Sequence, residues 1–145
     1  MDIHSITQYL LRQKMKLKGC SISEVKRLEC NFDLKFPPAY KEFLYSMGKG
    51  AGKYMQGSSV FLNELYIIKP DFVDLLSDHG LSLPDNAFVF WAHQGYQFAF
   101  FCIDEGYNPP VYFYYEGDIS IEKKEDSLTD FFTNQLLMSG FDLER

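Results

Sequence analysis

The stretch "FVFWAHQGYQFAFFCIDEG", residues 88–106, decides the fold. It sets the chain's only tryptophan, Trp91, within two runs of aromatic and β-favouring residues. Gln94-Gly95 stands between the runs. Glycine accepts a positive φ, so this dipeptide predicts a two-residue hairpin turn. That register pairs His93 with Tyr96, Trp91 with Phe98, Val89 with Phe100 and Ala87 with Cys102. Side chains alternate along a strand, so Val89, Trp91 and His93 share a face with Tyr96, Phe98, Phe100 and Cys102. Phe88, Phe90, Ala92, Ala99 and Phe101 form the other face. Both faces are apolar and both require cover, from helices on one side and from loops or a partner on the other.

The same register excludes a cysteine–histidine nucleophile. Cys102 lies six residues beyond His93 along the ladder, roughly 20 Å at about 3.3 Å per residue. A thiol–imidazole pair needs roughly 3 Å. Cys102 is therefore expected to behave as a small buried hydrophobe, and His93 as a solvated or structural imidazole.

Beyond the hairpin, "DEGYNPP" breaks the chain and "VYFYYEGD" begins a further strand that ends in a turn. Tyr112, Tyr114 and Glu116 share one of its faces, and Val111, Phe113 and Tyr115 the other. Tyrosine joins an apolar body to a polar tip, which suits both a core rim and an interface. One reading has these tyrosines complete the core with their hydroxyls at the surface. The other makes Asp104, Glu105, Tyr112, Tyr114, Glu116, Asp118 and Glu122 a tyrosine/acid patch for a protein partner. Ile119 and Ile121 allow one more short strand. In "SLTDFFTNQLLM", Ser127 and Asp130 flank the first turn of a helix, with Leu128, Phe131, Phe132 and Leu136 at helical spacing.

Towards the N-terminus the pattern is helical. Ile3, Ile6, Leu10 and Leu17 predict a first helix ending near Gly19. Ser21 and Glu24 stand at capping-box spacing around the start of the stripe Ile22, Val25, Leu28 and Phe32. Pro38 opens a third helix with Tyr40, Phe43, Leu44 and Met47 on its apolar face and Gly48 as a left-handed cap. "SSVFLNELYII" (residues 58–68) predicts a short strand and a turn, and Pro70 a further helix start. Helices, then strands joined by short turns, then a helix describe an α+β domain over residues 1–145. Its sheet is largely antiparallel and a C-terminal helix packs on it.

At 145 residues, with 46% hydrophobic and 17% aromatic content, the chain can bury a core without staples. Cys20, Cys30 and Cys102 show no disulfide or zinc spacing, which fits a reducing cytoplasm. No signal-peptide pattern opens the sequence, and no run approaches the roughly 20 apolar residues of a membrane span. "GKGAGK" (residues 48–53) follows a helix and precedes Tyr54, so it lacks the context of a phosphate loop. HExxH and GxSxG patterns are absent too. No catalytic residue, metal or cofactor is expected. Charge is uneven: residues 1–53 carry ten basic against five acidic side chains, whereas residues 104–130 carry eight acidic against two basic. The acidic half disfavours nucleic acid and suits a basic protein.

The order of these segments resembles the SUKH superfamily, which includes the yeast cell-wall synthesis regulator family and bacterial immunity proteins against secreted toxins. Glu29 matches a glutamate in the preceding helix. Pro37, Tyr40, Phe43 and Leu44 match a Pro–x–x–Tyr–x–x–Phe–Leu helix, with a second proline inside the spacing. Met47-Gly48 stands where Asn-Gly is common. Gly95 matches the glycine of the strand pair, Pro110, Val111 and Tyr112 the following strand, and Ser127 and Phe131 the last helix. The likeness covers roughly residues 20–137. It implies an α+β fold and binding in place of catalysis. For bacterial members it implies an immunity protein that docks on a toxin, often a nuclease; the alternative is a regulatory module of cell-wall or glucan synthesis. The family supplies no contact residues, so the seven named above rest on charge and aromatic content alone.

Overall fold

The computed structural model describes residues 1–143. Helix α1 (Ile3–Arg12) starts at Asp2, whose side chain accepts from the Ser5 N–H at 2.8 Å, and it buries Ile3, Ile6, Tyr9 and Leu10. It ends earlier than Gly19. Lys14, at φ 68°, takes the left-handed position usually given to glycine. Lys14 N–H then bonds Leu11 O and Met15 N–H bonds Leu10 O, satisfying the helix end. Leu17 consequently leaves the helical stripe and pairs with Ala51, in a ribbon of strands β1 (Leu17–Lys18) and β2 (Gly50–Ala51).

Helix α2 (Ile22–Phe32) carries the expected capping box: Glu24 N–H donates to Ser21 Oγ, and Ser21 N–H to Glu24 Oε1. Helix α3 (Pro38–Met47) begins at its proline. Gly48 is not a left-handed cap, since its φ is −63°. A side chain there is excluded by space: a Cβ would stand 2.7 Å from both Cys20 Sγ and Leu44 O. Strand β3 (Ser58–Ser59) is short, and "LYII" belongs to helix α4 (Leu65–Asp78). Pro70 therefore lies inside α4. It faces solvent there, where the carbonyl it leaves unpaired can be hydrated.

Strands β4 (Ala87–His93), β5 (Gln97–Cys102), β6 (Val111–Tyr115) and β7 (Glu122–Glu125) join β3 in an antiparallel sheet of order β3-β4-β5-β6-β7. The last strand lies just beyond Ile119 and Ile121; Ile119 is 95% exposed. Helix α5 (Leu128–Met138) starts at Ser127, whose Oγ accepts from the Asp130 N–H. The architecture is α+β, as expected.

The hairpin differs from the expected register in half its length. Ala87↔Cys102 and Val89↔Phe100 pair as anticipated, but Trp91 faces Ala99 and His93 faces Gln97. An extra residue at Phe90 bulges β4, and the turn takes three residues, 94–96, with Gln94 and Gly95 both at positive φ. The bulge moves Trp91 and His93 to the face of Phe101, away from Phe98 and Phe100.

Both faces are covered by the chain itself. Phe72 of α4 stacks on Phe98, centroids 4.6 Å apart, and also meets Phe100 and Tyr114. On the opposite face Tyr40 of α3 packs on Phe88 and Phe101, while Phe131 and Phe132 of α5 meet Phe90. Phe43 stacks on Phe132 at 4.3 Å and locks α3 to α5. Such ring pairs add about 0.5–1.5 kcal/mol each beyond the area they bury. No helix among the described residues is long and apolar enough to cross a membrane.

Candidate functional site

His93 and Cys102 sit at opposite ends of the β4–β5 ladder. The imidazole lies parallel to Trp91, with centroids 5.9 Å apart, and its Nδ1 is 3.0 Å from Ser58 Oγ on the neighbouring strand. Trp91 packs against Phe131 and Phe113, not beside Phe98. Cys102 is buried, and burial, with Glu105 beside it, pushes its thiol up to about 11. A thiol held protonated near neutral pH is a poor nucleophile.

Of the seven candidate partner-binding residues, Tyr112 and Tyr114 lie in β6, Glu122 in β7, and the other four before and after β6. At its start the Tyr112 hydroxyl donates to both oxygens of Glu105, at 3.0 and 2.9 Å, while its ring stacks on Phe100. Burial first, then the hydrogen bond to Glu105, pushes this hydroxyl up to about 12. Asp104 accepts from the Asn86 side chain. Tyr114 is fully buried and its hydroxyl donates to the Asp118 carbonyl at 2.8 Å. It therefore fixes the β6–β7 turn and offers no surface. That turn presents Glu116 and Asp118 to solvent, and the Asp118 carboxylate also caps the Tyr115 N–H at 3.2 Å. Glu122 lies opposite Phe113 on β7, and so on the other face from Tyr112 and Tyr114; Ser120 Oγ donates to it.

Tyr112 with Glu105, and Glu116 with Asp118, thus form two acidic groups at opposite ends of one strand. Glu122 borders the second group from the far face. Fold-defining contacts fill the space between. Glu29, matched to the resemblance, accepts the Phe36 N–H at 2.7 Å and holds the α2–α3 connection, with Lys41 at 3.6 Å.

Sequence reasoning passed over Gln135. It stands four residues after Phe131 on the buried side of α5, and it is the one polar side chain among the buried described residues. A glutamine at a position whose spacing calls for leucine was the available signal.

No curated protein matches the chain. A family model, SUKH_6, described as SMI1-KNR4 cell-wall, matches residues 22–132, from the start of α2 to the middle of α5. This span takes in helix α2 with Glu24 of the capping box, the Pro38 helix, the five-stranded sheet and the Phe131–Phe132 pair that closes it. The chain belongs to the SMI1-KNR4 cell-wall family of the SUKH superfamily.

Proposed function

We propose that this domain acts in the cytoplasm as an immunity-type protein, neutralising a secreted toxin by stoichiometric docking and without catalysis. Family membership supports a protein-interaction role of immunity or SMI1-KNR4 type. The observation that carries the finer reading is the charge of residues 104–130, whose eight carboxylates stand against Lys123 and Lys124. All eight except Glu125 are exposed, and Lys123 is already paired with Asp126 at 3.1 Å. Such a surface attracts a basic partner, such as a nuclease toxin domain, and accelerates its encounter.

Co-expression with a toxin encoded beside the gene tests this. Survival of the host and a 1:1 complex are expected; failure to neutralise any neighbouring toxin would end the immunity reading. In the complex, joint reversal of Glu116, Asp118 and Glu122 to lysine should lower the association rate by tenfold or more at low salt. An unchanged rate discards the acidic surface while leaving the docking mode open. The family's cell-wall description favours a second reading, a regulatory module of envelope synthesis. Envelope-synthesis genes beside this one, in place of toxin fragments, would favour it.

A further inference from the structure

The connection between β5 and β6, residues 103–110, contains Asp104, Glu105 and Tyr107 and ends in Pro109-Pro110. Its backbone and side chains are tied to four neighbouring segments. Ile103 N–H donates to Asn86 O at 3.1 Å, and the Asn86 side chain donates to Asp104. Glu105 accepts from the Tyr112 hydroxyl at 2.9 Å. The Tyr107 carbonyl accepts from the Ala39 N–H at 3.0 Å, at the start of α3, a helix with no side-chain cap. Asn108 grips the first turn of α5 twice. Its Oδ1 accepts from the Thr129 N–H at 3.1 Å, and its Nδ2 donates to Thr129 Oγ1 at 2.9 Å. A helix start leaves N–H groups without intrahelical partners, so the loop satisfies donors on both helices.

On this fixed backbone the Tyr107 side chain stands out in solvent. It is 74% exposed, more than any other aromatic side chain among the described residues. The other tyrosines at the surface lean on neighbours: Tyr66 stacks on Phe32, and Tyr115 meets Tyr96 edge-on. A single exposed apolar group is ordinary on a protein surface. One carried by a loop that folding has already ordered differs, because binding through it costs little further freedom.

We propose that Tyr107 is the anchor of the docking surface, received by a partner cleft with an apolar floor and a basic rim. This rests on the immunity reading above. Tyrosine offers a large amphipathic contact with few rotatable bonds, and it is enriched among the residues that dominate interface energies. Asp104 and Glu105, exposed just before it, select the basic rim. Of the two acidic groups along β6, the Glu105 end makes the lasting contact and the Glu116–Asp118 end steers the approach.

Two measurements test this. In the free chain, the Ala39 and Thr129 amides should be protected from hydrogen exchange, and Asn108→Ala should release Thr129. Exchange of both in the native chain at the rate of solvated amides would show a loose loop and overturn the proposal. The second measurement follows binding kinetics with the purified toxin domain encoded beside the gene. Tyr107→Ala should raise the dissociation rate about tenfold or more and leave the association rate unchanged, whereas Tyr107→Phe should stay near native. Circular dichroism confirms that both variants fold. A native complex whose dissociation ignores Tyr107→Ala overturns the anchor and leaves the immunity reading standing. Absence of any neighbouring toxin that the native chain binds overturns that reading, and the anchor with it.

Discussion

The Tyr112 hydroxyl is caught between the Phe100 ring and the Glu105 carboxylate, and its proton is held more tightly than in an unfolded chain. An unfolded tyrosine titrates near pH 10 and this one at about 12. The folded-state value is the higher one, so the linked stability is whole below pH 10 and fades as pH climbs towards 12. Urea unfolding across that window should show a steeper decline for the native chain than for Tyr112→Phe. Tyr40 and Tyr54, also raised by burial, contribute equally to both. Parallel declines would show that Glu105 exerts no such hold. At this scale the sequence told tyrosine from tyrosine poorly. Tyr112 and Tyr114 occupy equivalent places in the alternation, yet one meets a carboxylate at the rim and the other is sealed beneath α4.

Elements announced themselves where the cue was local, and stayed hidden where a neighbour decided. The Ser21/Glu24 box, Pro38 at its helix start and Ser127 at its cap depend on residues within one turn, and each stands where its spacing put it. The end of α1 did not, because Lys14 performs a task that sequence rules assign to glycine. The bulge at Phe90 had no visible sign either. In a strand apolar on both faces, a slip of one residue leaves the hydrophobic pattern unchanged. The three-residue turn that accompanies the bulge rests on Gly95 at φ 79°. An added Cβ there meets nothing within 4 Å, so Gly95→Ala should cost only its backbone strain, about 1–2 kcal/mol. Denaturant midpoints measure this. A loss well beyond that figure would mean that the turn is displaced and the β4–β5 register with it.

On the scale of the whole molecule, one continuous core runs through both helical layers, and it encloses Cys20 and Cys102 but not Cys30. Burial pushes the Cys20 thiol up to about 11, as it does that of Cys102. Alkylation of the native chain near neutral pH should therefore stop after one thiol, Cys30, and reach all three only in denaturant. Mass spectrometry reads the outcome directly. Early labelling of Cys20 would reveal that the β1–β2 ribbon opens independently of the core. The overall α+β order was legible because the longer strands β4–β7 form one block between helices, whereas the sealing of Tyr114 was not: it arises where α4 meets β6, from residues far apart in sequence. The sheet's two borders carry a last consequence. β3 is two residues long, the rest of β4 is buried, and β7 presents Glu122, Lys123, Lys124 and Glu125. A foreign peptide gains little by entering as a sixth strand, because an all-charged border on one side and a truncated ladder on the other deny it backbone pairing. Recognition then falls to side chains and turns, so the domain can change allegiance by surface substitution while its framework stays fixed.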